Sequence, residues 1–379
     1  MKFGVFLPNG SNGYIMSKAI TPYMPTWELN RDITLEAERF GFDFILSMMK
    51  FRGFGGETGY WDGCLESFSL TSALATVTKR IGLIPTAPLL ALHPAYVART
   101  MATLDDISGG RVALNIVTGW NKPEYAQMGL WRGDEYYEQR YAYALDYVHV
   151  LRTLWRDGTM THHSPYFDLD DCQCLPTPTH EIPLVSAGQS SAGQDFVSRI
   201  GGHSFAMVAP ERLHAIASGL KQAGAKYGTR VGIYGLFQIV AAETDDQAWQ
   251  TAADIVAGGD IEAIKSLVYS ASLDTVKGGT SGQFRNEDAG ADEDLLAGDI
   301  EAGNMVFMNV PVLVGSYETI ARKIDNISKD QNIEGMLFTW PDWVAGIQTF
   351  GDRILPLLNC RKDWDGATMG DLRTLRADF

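Results

Sequence analysis

Several polar side chains in this sequence stand where chemistry is plausible. Lys50 closes the apolar run Phe44-Ile45-Leu46-Ser47-Met48-Met49. A lysine at such a rim can form a Schiff base, bind an anion, or simply reach solvent. Glu124, in Asn121-Lys122-Pro123-Glu124, can act as a general acid or base, accept from a ligand N–H, or be a surface acid beside Lys122. Arg140, followed by Tyr141 in a long helical stretch, can clamp a phosphate or remain solvated. Gly188-Gln189-Ser190-Ser191-Ala192-Gly193 offers backbone N–H groups and hydroxyls at a helix start, suited to a phosphate. The same segment reads equally as a Ser N-cap with a tight turn. Cys172 and Cys174 with His162, His163 and His180 match no usual zinc spacing, so no metal is expected. GxGxxG, P-loop, HExxH and nucleophile-elbow patterns are also missing, which disfavours Rossmann dinucleotide binding and NTPase chemistry.

The elements that must carry these residues follow from periodicity. Short apolar runs predict eight strands, at Phe3–Leu7, Phe42–Ser47, Ile81–Ala87, Arg111–Val117, Pro183–Ala187, His203–Val208, Tyr234–Ala241 and Gly335–Thr339. Amphipathic helical patterns lie between them. One opens at Thr26 and stops at Gly41, another begins at Pro94 and ends at Gly109-Gly110, and the longest covers about Asp134–Trp155. Eight strands alternating with helices, without a hairpin signal, predict parallel βα units closed into a (β/α)8 TIM barrel. Two stretches with little regular pattern, 159–181 and 259–310, read as insertions. One barrel domain over 1–360 with a tail at 361–379 is expected. In a barrel of this kind the chemistry sits where strands run into the following loops. Met48, Met49 and Lys50, Thr86, Asn115, Trp120 and Ser190 all fall on or just after strands.

Composition narrows the partners. The chain has 379 residues and a formal charge of −15, with 45% hydrophobic residues. A folded core is therefore expected, and nucleic acid is not, because phosphate neutralisation needs a basic face. Met1–Pro8 reads as a strand rather than a signal peptide, and no apolar run is long enough to span a membrane. Four cysteines in so long a chain make no disulfide framework, which points to the cytoplasm.

Taken together, Met101–Arg111, Asn115–Trp120 and Ser186-Ala187-Gly188-Gln189-Ser190 resemble the bacterial luciferase-like flavin monooxygenases. Pro22-Tyr23-Met24-Pro25-Thr26, Phe42-Asp43-Phe44, Arg52-Gly53-Phe54-Gly55-Gly56, Asn115–Trp120, Lys122-Pro123-Glu124-Tyr125 and the 334–351 region are similar to the pyrimidine monooxygenase (RutA) branch. The resemblance runs from the first strand to about Cys360. It implies a two-component enzyme in which a separate NADH-dependent flavin reductase supplies reduced FMN. Dioxygen then reacts at the flavin, and oxygen attacks a ring amide carbonyl so that the heterocycle opens. Flavin contacts carry over to Met49, Lys50, Asn115, Glu124, Arg140, Tyr141 and Ser190, and Thr86 matches a residue beside the oxygen-reaction pocket. Lys50, Thr86, Asn115 and Glu124 are thus the expected catalytic set. A homo-oligomer is also implied.

Departures fall at Ile84, Leu89 and His93, and 259–310 looks longer than in the uracil enzymes. Met48, Leu89, His93 and Trp120 are accordingly expected to line the substrate pocket. The same flavin chemistry on another nitrogen heterocycle or on a sulfonate is the near alternative. A Schiff-base lyase using Lys50 and a flavin-binding protein without turnover are alternatives of a different class.

Overall fold

A computed structural model describes residues 1–276, 279–285 and 305–362. Part of the 259–310 stretch and all of the expected tail after Lys362 lie outside the described residues. The strands are β1 (Lys2–Phe6), β2 (Phe44–Leu46), β3 (Gly82–Ile84), β4 (Thr86–Pro88), β5 (Leu114–Val117), β6 (Thr159–His163), β7 (Asp168–Gln173), β8 (Leu184–Ser186), β9 (Gly202–Ala206), β10 (Val231–Ala242), β11 (Val312–Ser316) and β12 (Ile333–Thr339).

Hydrogen bonding runs in the order β3-β2-β1-β12-β10-β9-β8-β5-β4, and all these pairings are parallel. β3 and β4 are two halves of one strand interrupted at Pro85, which has no N–H to donate. The third strand therefore pairs with β2 through its first half and with β5 through its second. A parallel bridge of Leu83 with Val112 completes the seam, so the sheet closes into the expected eight-position barrel. Inside the barrel the Phe44 ring meets those of Tyr234 (5.1 Å) and Phe205 (6.2 Å), and all three are buried, so the barrel is a packed core rather than a pore. Phe3, Val5, Ile45, Leu83 and Phe237 are buried on the opposite face of the sheet, under the helices.

Helices α1 (Trp27–Arg39), α2 (Ser67–Val77), α3 (Pro94–Ser108), α4 (Lys122–Ala126), α5 (Tyr136–Asp157), α6 (Ser191–Ile200), α7 (Pro210–Tyr227), α8 (Asp245–Ala257), α9 (Ile261–Ser272), α10 (Gly279–Arg285), α11 (Tyr317–Ile327) and α12 (Trp343–Thr349) follow the strands. Their ends obey local chemistry. Thr26 accepts from the Leu29 N–H to start α1, and Gly109, at φ 65°, ends α3 in the left-handed region that glycine tolerates best.

Three features correct the sequence-based expectation. The 159–181 stretch carries an antiparallel hairpin, β6 with β7. β11 is an additional strand that pairs with β10 outside the barrel path. The front of 259–310 is regular: Asp260 caps α9, which buries Ala263, Ile264, Leu267 and Ala271 on one face. Arg361, expected to begin the tail, is anchored instead. Its guanidinium donates to the carbonyls of Met1 and Gly41 and to Asp43 at the N-terminal end of the barrel.

Candidate active site

β2 delivers Ser47–Lys50 to the C-terminal rim. Asn9 fixes this exit by donating to the Met48 carbonyl (2.8 Å) and accepting from the Met48 N–H (3.0 Å). β5 runs out into Thr118–Asn121 and then α4, where Pro123 sits in the first turn and Glu124 follows. These two rims converge. The Lys50 ammonium donates to Glu124 Oε2 at 2.5 Å, while Glu124 Oε1 accepts from the Phe51 N–H at 2.9 Å. Both side chains are buried, at 8% and 6% exposure. Lys50 lies 5.0 Å from the Phe54 ring centre and 5.8 Å from those of Trp61 and Trp120. Lys122, the neighbour Glu124 was set against in the sequence, turns outward to Asp134. A buried ion pair in an aromatic box is costly to desolvate, so it is weak evidence for stability and a pointer to function.

A second polar group lies where the split strand meets β5. Thr86 and Asn115 are register partners. Asn115 Nδ2 donates to Thr86 Oγ1 at 2.9 Å, and that hydroxyl donates to the Ser47 carbonyl at 2.7 Å. Asn115 Oδ1 is buried and accepts from no donor among the described residues. An acceptor left in that state costs about 1–3 kcal/mol, a deficit that a ligand N–H would remove.

A third group sits at the start of α6. Ser190 Oγ accepts from the Gly193 N–H at 3.1 Å, so the N-cap reading is correct, and it also lies 3.5 Å from the Tyr141 hydroxyl. A Cβ at Gly193 would stand 2.6 Å from that hydroxyl and 2.7 Å from the Gly188 carbonyl carbon, so only glycine permits this turn. Arg140 reaches the same region from α5. It is neither solvated nor free: its Nη1 donates to Asp274 Oδ2 at 2.7 Å, with the two side chains 5% and 0% exposed. Ser281 of α10 donates to the same carboxylate oxygen at 2.6 Å. Arg140 Nε is buried without a partner among the described residues.

One cavity of about 220 Å³ at the C-terminal mouth is bordered by all three groups. Met48, Met49, Lys50, Thr86, Asn115, Trp120, Glu124, Arg140, Tyr141 and Ser190 all line it. Leu89 and His93 do not. Leu89 is fully buried, its carbonyl accepting from the Tyr143 hydroxyl, and His93 caps α3 through Nδ1 to the Ala95 N–H and packs edge-on against Phe167. Burial lowers the His93 imidazole pKa. Residues that sequence reasoning missed complete the wall: Phe6, Tyr14, Trp61, Asn121, Met207, Thr280, Ser281, Phe284, Met308 and Val310. Tyr14 is pushed well above the ordinary phenol range by burial, so it serves as a neutral wall. The His and Cys residues of 162–180 lie elsewhere; His162 bonds Asp146 and His163 bonds Asp168. Among the described residues no helix is long and apolar enough to cross a membrane.

A parallel eightfold barrel with a buried charge pair and an unmet amide acceptor at its mouth is the setting of a small-molecule enzyme, and residues 1–331 match the family described as luciferase-like monooxygenase. The chain belongs to that family and is a flavin-dependent monooxygenase. It is 44% identical over 365 residues to a protein named pyrimidine monooxygenase RutA from Escherichia coli O6:K15:H31, covering 95% of this chain and 97% of that one. Among solved structures, a riboflavin lyase (RcaE) with modified FMN and riboflavin superposes with a TM-score of 0.80 at 20% identity, covering 94% of this chain and 91% of that chain. EDTA monooxygenase (EmoA) from Chelativorans sp. BNC1 gives a TM-score of 0.76 at 17% identity, covering 99% and 97%. At those identities the two structures speak to the fold.

Proposed function

We propose that the cavity binds FMN and that the enzyme uses reduced FMN and dioxygen to open the ring of a pyrimidine such as uracil at an amide carbonyl. A separate NADH-dependent flavin reductase supplies the reduced flavin, and the working unit is a homo-oligomer of one barrel domain ending near Arg361. The observation that carries this reading is the buried Lys50–Glu124 pair beside the unmet Asn115 acceptor, in a chain 44% identical to a named pyrimidine monooxygenase.

The residues present fit the group. Asn115 Oδ1 lacks the donor that a flavin or pyrimidine ring N–H supplies, and Arg140 Nε and the α6 N-terminus are donors suited to a phosphate. Met49, Lys50, Glu124, Tyr141 and Ser190 would complete that hold. When bound, the reduced flavin supplies the electrons that activate dioxygen. The chain's own residues supply the rest. Phe54, Trp61 and Trp120 keep water from the Lys50–Glu124 pair, so the ammonium's remaining N–H donors are free of solvent competition for a ligand acceptor. Glu124 Oε2 holds that proton-bearing ammonium in place, and Thr86, which donates its one hydroxyl proton to the Ser47 carbonyl and accepts from Asn115, fixes the Asn115 amide at the cavity. Met48 and Trp120 form the substrate wall. An ammonium gripped by a carboxylate is a poor nucleophile, which argues against a Schiff-base lyase.

The test is reconstitution in air with a flavin reductase, NADH, FMN and a panel of pyrimidines, other nitrogen heterocycles and sulfonates, read by mass spectrometry. A ring-opened acid from uracil bearing one inserted oxygen is expected. Sulfite release, or opening of a different heterocycle with uracil untouched, would replace the substrate. Flavin oxidation with no product from any compound would contradict the reading.

A further inference from the structure

The arginine expected to hold the cofactor phosphate is already neutralised. Arg140 and Asp274 are joined at 2.7 Å with both side chains buried, and the Asp274 carboxylate is secured further by the Ser281 hydroxyl at 2.6 Å and the Val276 N–H at 3.0 Å. Asp274 is therefore a built part of this corner. The cavity's other cation, Lys50, is matched by Glu124 in the same way. The two buried pairs cancel, and the chain as a whole carries −15. A flavin phosphate, itself carrying about −1.5 to −2 charge, meets hydrogen-bond donors here but, among the described residues lining the cavity, no uncompensated cation.

We infer that Asp274 is an affinity-limiting residue: by cancelling the charge of Arg140 it keeps the phosphate contribution to flavin binding small, so that FMN is taken up and released as a diffusing substrate. This rests on the reading that the flavin phosphate lies at Arg140 and Ser190. The physical basis is that a buried cation attracts an anion strongly only when no nearer anion already offsets it. Asn in place of Asp274 keeps the shape and an oxygen that accepts from Arg140 and Ser281, while it removes one negative charge. The corner then gains a net positive charge at the cost of one backbone hydrogen bond, because the amide nitrogen takes the place of the oxygen that accepts from the Val276 N–H.

Dissociation constants of FMN and riboflavin, measured by fluorescence quenching against the full chain at low and high salt, test this. In the wild type the two flavins should bind within a few-fold of each other, with shallow salt dependence for both. Asp274→Asn should tighten FMN about tenfold at low salt, leave riboflavin unchanged, and make FMN binding fall as salt rises. Arg140→Ala added to Asp274→Asn should abolish that gain. If FMN already binds the wild type far more tightly than riboflavin with steep salt dependence, the inference is overturned without any variant. Unchanged or weakened FMN binding in a folded Asp274→Asn overturns it too, and would make Asp274 a support for Arg140. Binding of neither flavin by the wild type would remove the flavin reading and this inference together.

Discussion

Asn115 separates a structural role from a chemical one. Its Nδ2 makes a bond to Thr86 worth about 1 kcal/mol, but its Oδ1 is a buried acceptor without a donor. Asn115→Ala removes both, so thermal stability should change by no more than about 1 kcal/mol while coupled product falls about 100-fold. Melting curves and product yield per NADH check this, and a parallel loss of both would make Asn115 a core residue. Lys50 and Glu124 behave differently because each holds the other. Lys50→Met alone should cost about 3 kcal/mol by stranding a buried carboxylate. The double variant Lys50→Met, Glu124→Gln should recover most of that stability and no activity. Recovery of product in the double variant would contradict a chemical role for the pair. The sequence exposed Lys50, Glu124, Arg140 and Ser190 as individual candidates because each follows a strand or opens a helix. It did not expose their partners. Lys50 and Glu124 are 74 residues apart, Arg140 and Asp274 134 apart, and only barrel closure brings them together. His93, expected in the substrate pocket, stands ahead of Pro94, where a side chain is well placed to cap a helix; it caps α3 and does not line the cavity.

At the scale of elements, the barrel strands were legible because each is a short apolar run between caps and turns. Three elements were not. β6 and β7 bury little beyond Met160 and Leu169, so their polar strands resemble a loop. β11 follows the 259–310 stretch closely enough to merge with it. α9 shows helical spacing at Ala263, Ile264, Leu267 and Ala271, but the Gly- and Asp-rich sequence after it masked the pattern. One junction gives a pH test. Glu38 near the end of α1 accepts from the N–H groups of Lys79, Arg80 and Ile81, joining α1 to the loop before β3. Partial burial raises its pKa, yet those three backbone bonds and Arg111 outweigh that and leave it below the usual carboxylate range. A folded pKa below the unfolded one means that the stabilisation is complete above about pH 4.3 and is lost as pH falls through the lower, folded value. Glu38→Gln should therefore be about 1 kcal/mol less stable than the wild type at pH 7, with the gap closing below pH 4. Urea melts at a series of pH values check this; a gap that widens in acid would contradict it.

The whole molecule is an acidic barrel, and the buried pairs Lys50–Glu124 and Arg140–Asp274 converge on one mouth of it. Its class could be read from the alternation of eight strands with helices and from Met101–Arg111, Asn115–Trp120 and Ser186–Ser190 together, since no one of these segments is decisive alone. The cavity wall was harder to read, because Tyr14, Trp61, Phe284, Met308 and Val310 arrive from widely separated parts of the chain and carry no local signature. An overall charge of −15 opposes a phosphorylated ligand at long range, so affinity must come from donors at the mouth itself. The central claim is that this mouth holds reduced flavin mononucleotide. Its most direct test is an anaerobic titration of the full chain with photoreduced FMN, followed by flavin fluorescence and equilibrium dialysis. Saturable uptake approaching one flavin per chain, weakened in Arg140→Ala and in Asn115→Ala, is the predicted result. No saturable uptake by the folded wild-type protein would contradict the account.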